Sequence, residues 1–332
     1  MHLQDKRILV TGSDGFIGSH LVESFCHCGY QVRAFVYYNS FNSWGWLDSL
    51  PKDIIKDVEV VTGDVRDEYN IRNAMKEIDV VCHLASLIGI PYSYNSPSSY
   101  VDTNIGGTLN VLQAARDNEV ERVIITSTSE VYGTAKYVPM DESHPLQAQS
   151  PYSATKIAAD KLAESFYRAY KTPVVIARPF NTYGPRQSVR AIIPTIISQI
   201  MSGSGEIHLG NVSPRRDLNY VTDICEAFVA LSKGDNLIGE EVNICSGNDI
   251  SIGELVERIS SIMGKRVAIK CDDLRVRPDK SEVERLVGCN KKIGRLVGWH
   301  PKVSLEDGLK KTIEWFSENN ALIKSRPDHY SI

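Results

Sequence analysis

Apolar residues fall into two rhythms over the first 180 positions of the chain. Near-continuous Val/Ile/Leu runs at 7–11, 31–36, 58–61, 80–84, 122–127 and 173–177 predict strands buried on both faces, as parallel strands are when helices cover a sheet. Between them, 16–27, 68–76, 103–117 and 153–170 carry apolar residues at helical spacing. Strands alternating with helices imply right-handed crossovers and an α/β fold built on a doubly wound parallel (Rossmann) sheet.

After Pro179 the rhythm loosens. Residues 181–190 are rich in Gly, Pro and Arg, and helical spacing returns at 192–201, 252–263 and 305–319. Short apolar runs at 218–221 and 241–244 are expected to return to the main sheet. The predicted division is therefore a dinucleotide-binding domain at 1–180, with returning segments about 218–247, and a smaller α/β substrate lobe from 181–217 and 248–332. No linker-like or repetitive tract separates the two, so they should share one cleft.

Composition narrows the function. A net charge of −4 with no long run of one sign leaves no basic footprint for nucleic acid and no polybasic membrane anchor. No run approaches the roughly 20 apolar residues that span a bilayer, and the first residues lack the order of a signal peptide. Seven scattered cysteines fit reduced thiols and a cytoplasmic location. Cys26-His27-Cys28 has no second ligand pair at zinc spacing, so no metal site is expected.

Chemistry begins at Thr11-Gly12-Ser13-Asp14-Gly15-Phe16-Ile17-Gly18, between the first strand and the first helix. Gly12 permits the tight turn, Gly15 lets backbone approach a pyrophosphate, and Gly18 lets helix and strand pack closely. The helix N-terminus behind them offers free N–H groups to phosphate. The second strand ends Phe35-Val36-Tyr37-Tyr38-Asn39 without the carboxylate that usually holds a ribose 2′-hydroxyl. That absence tilts the expectation from NAD toward NADP, with Arg33 the only nearby cation. Asp64-Val65 resembles the pair that meets adenine in such folds, and Leu84-Ala85 ends the strand beside the glycine turn.

Tyr152 and Lys156 stand four apart, which stacks both side chains on one helix face. A phenol near pH 10 becomes a usable base beside an ammonium group and a nicotinamide cation. With the glycine turn and Arg178-Pro179-Phe180-Asn181-x-Tyr183-Gly184-Pro185, this pair makes the chain resemble the extended short-chain dehydrogenase/reductase family over essentially its whole length. That family binds nucleotide sugars and includes 4-epimerases, 4,6-dehydratases and decarboxylases, so fold alone does not name the reaction.

Ser127-Thr128-Ser129-Glu130 narrows it. Glu130 matches the carboxylate by which the family's dehydratases remove the C5 proton, where epimerases carry small or neutral residues. dTDP-glucose 4,6-dehydratases have Asp-Glu here; Ser129-Glu130 is similar to GDP-mannose 4,6-dehydratases. The resemblance then implies Tyr152 as base for the C4 hydroxyl, Thr128 as its hydrogen-bond partner and Lys156 on the cofactor ribose. It gives Glu130 the C5 proton and departure of the C6 hydroxyl, assisted through Ser129 or Thr128. The cofactor is regenerated in each turnover, so it should stay tightly bound.

Asn181, Arg186, Arg216 and Arg277 match family positions near the substrate pyrophosphate and ribose, and arginine's planar fork suits phosphate oxygens. The loop Phe41-Asn42-Ser43-Trp44-Gly45-Trp46-Leu47-Asp48 and the segment 88–94 resemble dehydratases of nucleotide-linked N-acetylglucosamine in the legionaminic acid pathway. Ser86, Ile88 and Tyr92 are then expected to shape an acetamido pocket. A UDP-hexose 4-epimerase shares every motif except the need for Glu130; a catalytically silent dinucleotide-binding protein would have lost Tyr152, Lys156 or Thr128. The helices at 103–117 and 153–170 resemble those that pair in the family's homodimers.

Overall fold

The computed structural model describes residues 6–319; the expectations for 1–5 and 320–332 lie outside the described residues. Seven strands form one sheet: β1 (Arg7–Thr11), β2 (Gln31–Tyr37), β3 (Val58–Gly63), β4 (Val80–His83), β5 (Arg122–Thr126), β6 (Val174–Pro179) and β7 (Glu241–Ile244). Their spatial order is β7-β6-β5-β4-β1-β2-β3, and every neighbouring pair is parallel. The chain winds outward one way from β1 and the other way from β4. The crevice at the carboxyl ends of β1 and β4 is thus the switch point where such sheets bind ligands.

Two apolar layers sandwich the sheet. On one face α1 (Phe16–His27) packs beside a helix at Val221–Lys233, with Phe25, Ile224 and Phe228 fully buried. On the other lie α2 (Glu68–Ala74), α3 (Gly107–Asp117) and α4 (Pro151–Tyr170), which bury Ile71, Leu112 and Ala163. A third apolar cluster lies apart from these layers, built from α5 (Ile192–Ser202), α7 (Ile252–Ile262) and α8 (Leu305–Glu318) with Tyr183, Ile207, Leu209, Leu218 and Tyr220, and forms the core of a smaller lobe; α6 (Val221–Lys233) is the helix already met beside α1.

One expected strand goes elsewhere. Leu218–Tyr220 does not join the main sheet but pairs in parallel with Asn181–Tyr183. The free edge of β6 is taken by β7, so the shorter run has no backbone partner there and turns directly into α6. In the smaller lobe, Glu206–Leu209 also pairs with Ala268–Cys271, and Arg215–Arg216 lies between Ile250–Ser251 and Arg285–Leu286. Among the described residues no helix is long and apolar enough to cross a membrane.

Candidate active site

The turn after β1 is built for close approach. Gly12 holds φ +71, and a Cβ there would sit 2.9 Å from the Ala85 backbone nitrogen. A Cβ on Gly18 would collide with the Gly12 carbonyl oxygen. Gly15 caps α1 without any side-chain bond, and no acid stands in the first helical turn, so the N–H groups of Phe16 and Ile17 open onto the turn free of competing carboxylates. This cradle fits the pyrophosphate of a dinucleotide.

Asp14 lies between that turn and the end of β2. Its carboxyl is raised by burial and held by the Tyr37 backbone N–H, and its carbonyl accepts from Trp46 at 3.0 Å. Arg33, by contrast, points away from the ribose side. Its guanidinium donates to the Ala74 and Lys76 carbonyls at 2.9 and 2.7 Å and pairs with Glu59. The one nearby cation that could have met a 2′-phosphate is therefore committed to structure. Asp64 is held low by Arg66, and Val65 is buried against Gly107.

A buried polar chain that sequence reasoning missed lies beneath Leu84 and Ala85. Thr11 Oγ1 accepts from both of their N–H groups at 3.1 Å and lies 2.8 Å from His83 Nδ1. Its two acceptor sites being used, Thr11 donates its proton to Nδ1, so His83 carries its own on Nε2 and donates to Thr108 at 3.2 Å. Thr108 donates in turn to the Asn104 carbonyl at 2.6 Å. The Asn104 side chain clamps Leu87 through both backbone groups and donates to Thr155 on α4. Burial drives the His83 imidazole down to about 3, so it stays neutral. Only Thr11 and His83, polar residues at the carboxyl ends of β1 and β4, could have hinted at this chain in sequence.

Across the crevice, β5 ends at Thr126 and Thr128 caps a short turn, Ser129–Tyr132, by accepting from the Glu130 N–H at 3.2 Å. Ser129 and Glu130 are both buried. Helix α4 starts on a Ser150/Ser153 capping box with Pro151 in its first turn, which delivers Tyr152 and Lys156 side by side. Tyr152 hydrogen-bonds Thr128 and feels the Glu130 charge; burial pushes its phenol above the ordinary range. Lys156 donates to the Thr126 carbonyl at 2.6 Å, and burial lowers its ammonium to about 8, against the pull of Asp160 one turn on. Asp160 is itself paired with Arg178 at 3.0 Å, both side chains 1% exposed. Thr128, Glu130, Tyr152 and Lys156 are thus brought together.

The smaller lobe adds cations. Arg216 is buried, attracted by Glu130, and pairs with Glu282 at 3.3 Å; Arg277 reaches the same carboxylate at 3.6 Å. Asn181 presents a buried Oδ1 that has no hydrogen-bond partner in the described structure. Arg186 is not brought to this cluster: it pairs with Glu23 of α1 at 3.0 Å. Ser86 lies half-buried behind Leu84, while Ile88 and Tyr92 are exposed at the rim, Tyr92 stacking toward Tyr100 and Tyr100 toward Tyr152. Trp46 meets Trp315 of α8 edge-on at 5.5 Å, joining the loop to the smaller lobe.

Residues 9–312 match the sequence profile described as GDP-mannose 4,6 dehydratase. The chain belongs to this nucleotide-sugar dehydratase family of the extended short-chain dehydrogenases/reductases. A dTDP-D-glucose 4,6-dehydratase of Mus musculus is 32% identical over 95% of the chain and 89% of its own length. A putative UDP-glucose 4-epimerase of Methanocaldococcus jannaschii is 31% identical over 94% and 99%. Among solved structures, the dTDP-glucose 4,6-dehydratase DesIV from Streptomyces venezuelae, with NAD bound, superposes with a TM-score of 0.86 at 30% identity over 96% of the chain and 99% of that protein. A UDP-N-acetylglucosamine 4-epimerase from Methanobrevibacter ruminantium gives 0.85 at 29% identity over 95% and 99%. The family therefore holds both chemistries on this fold, and the site must separate them.

Proposed function

We propose that the protein is a nucleotide-sugar 4,6-dehydratase that converts a UDP- or GDP-linked N-acetylglucosamine, or a related hexose, into its 4-keto-6-deoxy product. The observation that carries this reading is the buried Glu130 carboxylate set between Tyr152 and Arg216. Epimerisation at C4 moves only a hydride and the hydroxyl proton, and has no work for a second base. The N-acetylglucosamine assignment, and with it a place in legionaminic acid synthesis, rests on the two-tryptophan loop and the 88–94 segment.

Tyr152 takes the C4 hydroxyl proton, with Thr128 on the same oxygen and Lys156 favouring the phenolate. A bound nicotinamide supplies the hydride acceptor for C4 and the donor for C6. Once C4 is a ketone, C5–H is acidic enough for a carboxylate. Glu130 removes that proton and passes it to the departing C6 hydroxyl, so water leaves. It later returns a proton from solvent to C5, while Tyr152 releases its own.

NAD is the better-supported cofactor: Arg33 is engaged elsewhere, the Asp14 carboxyl lies against the end of β2 where a 2′-phosphate would meet it, and the dehydratase DesIV was solved with NAD. The exposed faces of α3 and α4, which pack side by side, are the surfaces through which we infer a homodimer; a monomer by light scattering would oppose it.

Incubation with UDP- and GDP-N-acetylglucosamine in deuterated water tests the reaction. A 4-keto-6-deoxy product labelled at C5 is expected, whereas a C4 epimer without that label would establish the epimerase. Glu130→Gln should lose at least about 100-fold in dehydration, the scale of a general base, and still bind cofactor.

A further inference from the structure

We propose that Glu282 is a place-holder for the substrate diphosphate, a carboxylate that aims two guanidinium groups until a nucleoside diphosphate displaces it. The inference rests on reading Arg216 and Arg277 as the diphosphate ligands. Its basis is how poorly those arginines are satisfied. One oxygen, Glu282 Oε1, lies 3.3 Å from Arg216 Nη2 and 3.6 Å from Arg277 Nη1, and also accepts from the Val283 N–H at 3.2 Å. Arg216 spends its other terminal nitrogen on the Arg215 carbonyl at 3.0 Å. Arg277 Nη1 is buried and makes no hydrogen bond.

A single oxygen at loose ion-pair distance balances charge but engages neither fork bidentately and leaves Arg277 Nη1 without a hydrogen bond. Phosphate oxygens match such forks bidentately and would use them. Two like-charged guanidinium groups this close repel, and that repulsion acts on Arg216 together with the attraction of Glu130 and Glu282. In the free protein Glu282 therefore keeps the pair from splaying. A diphosphate brings its own negative charge to the same place, and a fixed carboxylate there would oppose it.

The backbone around Glu282 need not move. Gln149 donates to the Lys280 and Glu282 carbonyls, each at 3.2 Å, and Ser281 donates to the Gln149 carbonyl and bonds the Tyr94 hydroxyl at 2.6 Å. The 280–282 segment is thereby sewn to the residue before the cap of α4. What can move is the Glu282 side chain, whose three rotatable bonds let the carboxylate swing away once its contacts to Arg216, Arg277 and the Val283 N–H are exchanged. The same exchange lowers the apparent affinity for diphosphate, because a competing state must be emptied first.

Calorimetric titration of the cofactor-loaded protein with UDP, GDP and dTDP tests this, comparing the wild type with Glu282→Gln and Glu282→Asp. Glu282→Gln should bind the preferred nucleotide about 3- to 10-fold more tightly and melt at a lower temperature without it. Glu282→Asp, its charge withdrawn by one methylene, should shift affinity the same way by less. It carries the test with the same sign if the glutamine variant does not fold. Unchanged or weaker binding in the variants overturns the place-holder and makes Glu282 part of the fixed binding surface. A wild type that binds none of the three nucleotides overturns the diphosphate reading of the arginines itself, and this inference with it.

Discussion

Lys156 is the residue whose charge falls within the working pH range. Its ammonium, lowered to about 8 by burial, is present below that pH and lost above it, and with it goes the cation proposed to favour the Tyr152 phenolate. Turnover should therefore fall as pH rises through about 8, and a pH profile still flat at 9.5 would remove Lys156 from that role. The imidazoles work on stability instead. His83 is held at about 3 and His20 at about 4, both by burial, against an ordinary value of 6.5. Between those limits the unfolded chain binds protons that the folded one refuses, so each group's contribution is intact above 6.5 and is lost as pH falls toward the folded value. Each adds a slope of up to about 1.4 kcal/mol per pH unit in that window. His83→Gln should flatten the acid side of a melting-temperature profile. Tyr152 and Lys156 were legible in sequence because their spacing is local. Asp160 sits at the same helical spacing from Lys156, but only the Arg178 partner brought by β6 shows it to be a buried ion pair.

At the scale of elements, the strands and helices of the main sheet stand within a few residues of their expected bounds, since burial on both faces writes them as unbroken apolar runs. What was illegible was short or exposed. Ala268–Cys271 is exposed at every position, so no periodicity marks it as a strand; it exists because Glu206–Leu209 offers its backbone. Helix α6 was overlooked because it is buried on nearly all sides against α1 and the sheet, which blurs its period. Residues 101–106 wind as a π-helix ahead of α3, a local widening that swings Asn104 onto Leu87. The placement of Tyr152 and Lys156 depends on how α4 begins. Ser150→Ala should remove its cap at a cost of about 1 kcal/mol, lowering the melting temperature by about 2 °C in a protein of this size. Turnover should fall with little loss of cofactor affinity; an unaltered melting curve would show that the cap holds nothing.

For the whole molecule, three contacts join the first helix and the loop after β2 to the segments that follow Pro179. The Trp46–Trp315 contact, the Arg186–Glu23 ion pair and the His20 bond to the Pro185 carbonyl at 3.0 Å all cross between them beside the glycine turn. Trp46→Ala should forfeit the aromatic pairing, about 0.5–1.5 kcal/mol beyond the buried area, and raise the KM for nucleotide sugar more than it lowers kcat. Unchanged melting and KM together would mean that the loop clamps nothing. By itself the sequence determined the parallel sheet, the glycine turn after β1 and the Tyr-x-x-x-Lys pair, because each is governed by contacts between residues near in the chain or by burial that a strand records locally. Only tertiary structure decided that Arg33 serves α2 rather than a phosphate, that Arg186 serves α1, and that Glu282 joins Arg216 and Arg277. A long cation takes whichever carbonyl or carboxylate the fold brings within reach, and no spacing along the chain encodes that choice.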